Sequence, residues 1–292
     1  MILALTGATG FTGSYVVPEL IKMGARLRCL VRSSSDIRRL SNENIELIYG
    51  DMGNEKSVRR LLDGADALVN VASIGFGHAS VIVNAATASN LDRAIFIGST
   101  AIFTALNAAS KRVRRAAEET ISKSGLAYTI LRPTMIYGDH RDRNISRLVR
   151  FIHRSPVIPV FGPGTFHQQP VHVRDVADAV VRVLKTDATV RRTYNIPGAD
   201  PIDFNRMCDI VGGLLGRRKP LLHLPDKPVI DLLRLCEGMG LILPIKAEQV
   251  MRLNEHKRFS YLSAAEDFGY APRSFDTGVS AEIDIMRRRG II

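Results

Sequence analysis

The sequence predicts an α/β protein: a doubly wound parallel sheet carrying a smaller, discontinuous C-terminal cap. Three observations predict it. Short β-branched runs alternate with longer helical patterns through the first half, the rhythm of βαβ units. A glycine-rich turn, Gly7 to Gly13, follows directly on the first apolar run. The 292 residues, 46% hydrophobic and 24% charged, suffice for one enlarged α/β domain or a core with a cap. That balance excludes a wholly disordered or collagen-like chain.

Taken in order, residues 2–5, 26–31, 45–48, 67–72, 94–98 and 128–131 read as strands, mostly apolar, as strands covered on both faces are. The clearest helix is 110–124, where Lys111, Arg112, Arg114 and Arg115 precede Glu118 and Glu119 and give opposite-charge pairs one turn apart. Beyond Leu131, five prolines (Pro133, Pro156, Pro159, Pro163 and Pro170) punctuate short segments around a basic helix at 144–154. A helix at 176–185 capped by Asp175, a strand at 194–196 and helices near 204–215, 263–267 and 279–289 complete the chain. There is no internal repeat and no linker long enough to separate independent domains.

Forty Lys and Arg against 29 Asp and Glu leave a formal charge of +11, which favours anionic partners. With no Trp, 6% aromatic residues and no zinc-finger or basic-zipper spacing, nucleic acid is not the expected one. Cys29, Cys208 and Cys236 form no CxxC pair and no even set, so neither a disulfide framework nor a metal site is expected. A reducing, cytoplasmic setting fits. The amino terminus reaches Gly7 too soon for a signal peptide. The oiliest stretch, 229–245, is broken by Asp231, Arg234 and Glu237, so no transmembrane segment is expected. Core packing is the default reading of that stretch, with a dimer or membrane-surface helix as alternatives.

Thr6-Gly7-Ala8-Thr9-Gly10-Phe11-Thr12-Gly13 lies between a strand and a helix. Gly7 permits the tight turn, Gly10 lets backbone approach a pyrophosphate, and Gly13 allows close helix packing, while the helix start turns free N–H groups toward the anion. The GxxGxxG spacing resembles the extended branch of the short-chain dehydrogenase/reductases, the NAD(P)-dependent epimerases and dehydratases with a Rossmann-type sheet. The resemblance implies cofactor contacts from Gly7, Thr9, Gly10, Phe11, Thr12 and Gly13. Arg32 ends the second strand where NAD-specific folds place an acid, and Arg32 with Ser33, Ser34 and Ser35 suits a 2′-phosphate, so NADP is preferred over NAD. Asp51 and Met52 match the adenine position, and Ala72 and Ser73 the backbone laid along the cofactor. Ser99, Lys111, Pro133 and Ile136 complete the implied cofactor set. Residues 1–165, with a return segment near 170–200, form the expected NADP-binding core, and 200–292 mainly the substrate-binding cap.

The same resemblance implies a Ser/Thr after the fifth strand and a Tyr-x-x-x-Lys on the next helix. Thr100, with Ser99 as the fallback, and Lys111 match; the tyrosine position is Asn107. An asparagine amide donates hydrogen bonds but loses no proton near neutral pH, so the usual relay cannot run through it. Substitute proton donors are Tyr137, in Arg132-Pro133-Thr134-Met135-Ile136-Tyr137-Gly138, which resembles the branch's RPxxxYG, together with His78 and Lys111 itself. Gln169 and His172, before Val173-Arg174-Asp175, are substrate-pocket candidates. Arg143 and Arg147, in a cluster with Arg141 and Arg150, suit a diphosphate. The close, Phe268-Gly269-Tyr270-Ala271-Pro272 to Phe275 and Gly278, resembles the "LGYxPxxxFxxGL" of nucleotide-sugar enzymes. Two readings follow. One is an oxidoreductase or epimerase acting on a nucleotide-linked sugar or related phosphorylated carbonyl compound, possible as a homodimer. The other is a dinucleotide-binding sensor or accessory protein that has lost the tyrosine.

Overall fold

Each strand of the first half is apolar on both faces, and the chain buries both by stacking helices on either side of one sheet. The computed structural model describes residues 1–292 except Asn90, Ile242 and Pro244. In chain order the elements are β1 (Ile2–Thr6), α1 (Gly13–Lys22), β2 (Arg26–Val31), β3 (Ile45–Tyr49), α2 (Glu55–Leu62), β4 (Ala67–Asn70), α3 (Ala79–Ala88), β5 (Arg93–Ile97) and α4 (Ala109–Ser122). Then follow β6 (Tyr128–Pro133), β7 (Ile136–Tyr137), α5 (Ile145–Arg154), β8 (Ile158–Phe161), β9 (His167–Gln168), β10 (Val171–His172), α6 (Val173–Leu184), β11 (Arg192–Ile196) and β12 (Ile202–Asp203). The last are α7 (Phe204–Leu214), β13 (Leu221–Leu224), α8 (Asp226–Gly238), α9 (Ala247–Leu253), α10 (Leu262–Phe268) and α11 (Phe275–Arg288).

Seven strands form the main sheet in the order β11-β6-β5-β4-β1-β2-β3, every pair parallel. The order reverses between β1 and β4, and the crevice beyond their carboxyl ends is where open α/β sheets bind ligands. Alternation sorts the side chains. Leu3 and Leu5 pack with Val16 and Leu20 of α1 and Val176 and Val180 of α6. Ala4, Leu68 and Phe96 pack with Val58 and Leu61 of α2, Ile82 of α3 and Ile121 of α4.

The cap has its own core: Ile145, Val149 and Ile152 of α5, Met207 and Val211 of α7, and Val279, Ile283 and Met286 of α11. β8 pairs with β13 rather than with the main sheet. This third cluster joins side chains from residues 135–158 to others from residues 202–292.

Two expectations are corrected. α6 begins at Val173, and its cap is His172, whose ring accepts from the Arg174 N–H at 3.2 Å. Asp175 sits instead in the first turn, where a carboxylate meets the positive helix end, and pairs with Arg273 at 2.8 Å. None of the described residues of 229–245 is buried, against the core reading. α8 buries no residue, and Leu232, Leu235 and Met239 are 60%, 61% and 61% exposed. Its apolar content invited a core reading, but the helix rests mainly on the short α9. Ile242 and Pro244 of that stretch lie outside the described residues. Among the described residues no helix is long and apolar enough to cross a membrane.

Candidate functional site

β1 delivers the glycine turn to the switch point. Gly7 has φ +73, and a Cβ there would stand 2.6 Å from the Ala72 backbone nitrogen. A Cβ on Gly13 would fall 2.1 Å from the Gly7 carbonyl oxygen, so glycine is what lets α1 start against the turn. Gly10 faces open space, its Cβ position meeting only the Gly7 oxygen at 3.2 Å. Thr12, the cap of α1, makes no side-chain capping bond, and the N–H groups of Phe11 and Thr12 have no partner among the described residues. Thr9 and Gly10 are exposed. Free N–H groups at a helix start beside an open glycine fit the diphosphate of a dinucleotide.

On the β2 side, Arg32, Ser33 and Ser34 are exposed. The Ser35 hydroxyl accepts from the Arg32 N–H at 3.2 Å and closes a turn, which leaves its own O–H to donate. Asp51 accepts from the Gly53 N–H at 2.7 Å with one carboxylate oxygen, leaving the other open, and Met52 packs on the core beneath. His78 lies against Gly53, where a Cβ would be 3.1 Å from its ring. That places it beside the loop that carries Asp51 and Met52.

At the β4–β5–β6 end, Ala72 and Ser73 follow β4, and Ser73 Oγ accepts from the Gly75 N–H at 3.2 Å. Ser99 Oγ accepts from the Ala101 N–H at 3.2 Å. Thr100 is 6% exposed, its hydroxyl directed to the Pro133 carbonyl at 3.4 Å. Of the two hydroxyls, Ser99 is therefore the more accessible. Lys111 donates to the Thr104 carbonyl. Asn107 is exposed, precedes the α4 cap Ala108, and its amide oxygen accepts from Arg112 at 2.9 Å. Asn107 and Lys111 thus do not share a helix face. Ile136 is half-buried in β7.

Of the remaining assigned side chains, Tyr137, Gln169 and His172 are buried. Tyr137 is 0% exposed, and its hydroxyl fits where a Cβ on Gly278 would be only 2.1 Å away. It donates to the Phe275 carbonyl at 3.4 Å, and burial raises its pKa far above the ordinary phenol value. A hydroxyl so placed reaches no substrate. His172 stacks edge-on against it and is pushed down to about 3 by burial. The Gln169 amide joins the Gly198 carbonyl at 2.9 Å and the Phe259 N–H at 2.8 Å. Arg143 and Arg147 are exposed, and Arg141 pairs with Asp139 at 2.6 Å.

One contact escaped the sequence. Glu255 accepts from the Thr104 hydroxyl at 2.8 Å and from the Ala105 N–H at 2.5 Å, and Gln168 donates to the Leu253 and Glu255 carbonyls at 3.2 and 3.1 Å. Lys257, pushed down to about 8 by burial, donates to Gln168 at 2.9 Å. The 252–259 segment thus ties the loop before Lys111 to the cap. No linear motif announces such a contact, because its partners lie some 150 residues apart.

A family profile described as NAD(P)H-binding matches residues 7–187. The chain is 26% identical over 249 residues to the mitochondrial NADH dehydrogenase [ubiquinone] 1 alpha subcomplex subunit 9 of Arabidopsis thaliana, covering 77% of this chain and 60% of that protein. It thus spans less than two thirds of that relative. It is 26% identical over 248 residues to a ceramide reductase of Caulobacter vibrioides, covering 78% of this chain and 75% of the relative. The UDP-glucose 4-epimerase of Thermotoga maritima superposes with a TM-score of 0.77 at 17% identity over 99% of each chain. With the glycine turn and the sheet order in view, the chain belongs to the NAD(P)H-binding family.

Proposed function

We propose that the chain is an NADP(H)-dependent oxidoreductase acting on the carbonyl carbon of a small phosphorylated or nucleotide-linked compound. The observation that carries this is the open cradle at Gly10, with free N–H groups at Phe11 and Thr12, joined by the exposed Arg32 where a 2′-phosphate would lie. When bound, the dinucleotide supplies the hydride. Residues Gly7 to Gly13 hold its diphosphate, Arg32 and Ser33 its 2′-phosphate, and Asp51 its adenine. Lys111 holds the nicotinamide ribose and places a positive charge beside the carbonyl oxygen, where negative charge develops. Ser99 or Thr100 orients that oxygen. Tyr137 and His172 are buried, so the proton comes from Lys111, from water it orders, or from His78.

The likeness to a ceramide reductase extends the substrate range to compounds with an apolar body, and Phe76 and Phe103, 66% and 49% exposed on the loops after β4 and β5, suit one. A cytoplasmic homodimer completes the proposal. The second reading is an NADP(H)-binding accessory protein, favoured by the exposed, hydrogen-bonded Asn107. NADPH carrying deuterium at C4, incubated with nucleotide sugars and with long-chain ketones, separates them. The reductase deposits the label on a carbinol carbon, and Lys111→Met lowers that turnover at least a hundredfold. Tight NADPH binding with no transfer, and reductase activity appearing only in Asn107→Tyr, contradicts the first reading and supports the second.

A further inference from the structure

Positive charge converges at a second place. A cleft of about 550 Å³ opens between α1, the loop after β7 and the carboxyl end of α11, lined by Tyr15, Arg39, His140, Arg141, Arg288 and Arg289. Its one carboxylate, Asp139, is already engaged: it pairs with Arg141 at 2.6 Å and accepts from the Tyr15 hydroxyl at 2.9 Å. Arg141 is further fixed by lying over the Phe11 and Tyr15 rings, at 5.5 and 5.8 Å. The guanidiniums of Arg39, Arg288 and Arg289, which line the cleft, make no ion pair or hydrogen bond among the described residues, whereas the neighbouring Arg287 pairs with Asp284.

A helix carboxyl end attracts cations, and that accounts for Arg288 and Arg289 singly. It does not account for Arg39, which comes from the loop after β2 to the same cleft. The His140 ring adds a second sign. Its Nδ1 is buried with no hydrogen-bond partner and stands 3.8 Å from Asp139. Burial first, then Arg289, Arg141 and Arg39, holds the ring below its ordinary pKa against the pull of Asp139. Three unneutralised guanidiniums around a polar hollow repel one another until an anion joins them, and their planar forks match phosphate oxygens. The volume lies in the range that takes a small ligand.

We infer that this cleft binds the phosphate or diphosphate of a small molecule other than the nucleotide cofactor. No residue of 7–13 or 32–35 lines it, so it is separate from the cradle, though Phe11 touches both through Arg141.

The probe is inorganic pyrophosphate, titrated calorimetrically into the full chain saturated with NADPH and compared with Arg39→Ala/Arg288→Ala/Arg289→Ala. These three side chains are exposed, so the variant keeps its fold, which its unfolding temperature checks. The inference predicts saturable pyrophosphate binding with NADPH present, weakened at least tenfold in the variant, and NADPH affinity changed less than twofold. Absent binding, or equal binding in the variant, overturns it. Competition between the two ligands, with the variant losing NADPH but not NADH, also overturns it and assigns the arginines to the cofactor's 2′-phosphate. Pyrophosphate binding that needs the arginines in a chain that binds no dinucleotide upholds the cleft while contradicting the proposed function.

Discussion

Asn107 and Tyr137 show what single residues reveal before and after folding. The absence of a tyrosine before Lys111 was legible because the motif is linear and its flanking residues fix the alignment. The fate of Tyr137 was not, because Gly278, which makes room for its hydroxyl, is far along the chain. His172 and His78 were hidden for the same reason: a histidine's neighbours across the fold decide whether it caps a helix or faces a ligand. Glu282 is a residue of this hidden kind. It is 0% exposed, neither carboxyl oxygen has a hydrogen-bond partner, and burial beside Asp142 pushes its pKa from 4.5 up to about 10. Folded, it keeps a proton that the unfolded chain releases, so its contribution to stability is fully present below about pH 4.5 and is lost as pH rises toward about 10. Glu282→Gln should therefore stabilise the chain by roughly 5 kcal/mol more at pH 8 than at pH 4. Thermal unfolding across that interval checks it; a variant whose unfolding temperature follows the wild-type pH dependence contradicts it.

At the scale of elements, the six early strands were readable because each is a short apolar run covered on both faces, and the helix at 110–124 because its charges pair along one side. α8 was misread. Hydrophobicity states what a helix would gain by burial, while the number of neighbours decides whether it is buried, and α8 has mainly α9. Leu232→Glu with Leu235→Glu should change unfolding free energy by no more than about 0.5 kcal/mol each. A loss of several kcal/mol in denaturant unfolding would show that something covers this face. The 252–259 segment is the opposite case, polar in sequence yet fixed in place by Glu255. Glu255→Ala removes the acceptor for Ala105 and Thr104, so the 104–107 amides should exchange hydrogen at least tenfold faster, with β1 and α1 unaffected. Unchanged exchange would mean that the loop is held by other contacts.

At the scale of the whole molecule, parallel pairing and the reversal between β1 and β4 put the glycine turn, Arg32, Asp51 and Ser99 just past the carboxyl ends of β1, β2, β3 and β5. That gathering followed from the strand–helix rhythm and was legible. The cap was less so, because its core joins α5 to α7 and α11 across long separations, and hydrophobic pattern alone does not say which segments meet. The +11 charge likewise divides only in three dimensions. Arg143 and Arg147 face solvent, Arg32 flanks the cradle, and Arg39, Arg288 and Arg289 gather at the second cleft. The claim on which the rest stands is that the cradle and Arg32 together select a phosphorylated dinucleotide. Calorimetric titration with NADPH and NADH, on the wild type and on Arg32→Ala, tests it most directly. The account predicts that the wild type binds NADPH about tenfold more tightly than NADH, a difference of about 1.4 kcal/mol, and that Arg32→Ala erases the difference by weakening NADPH alone. Equal affinities in the wild type, or an NADPH preference that survives in Arg32→Ala, would contradict it.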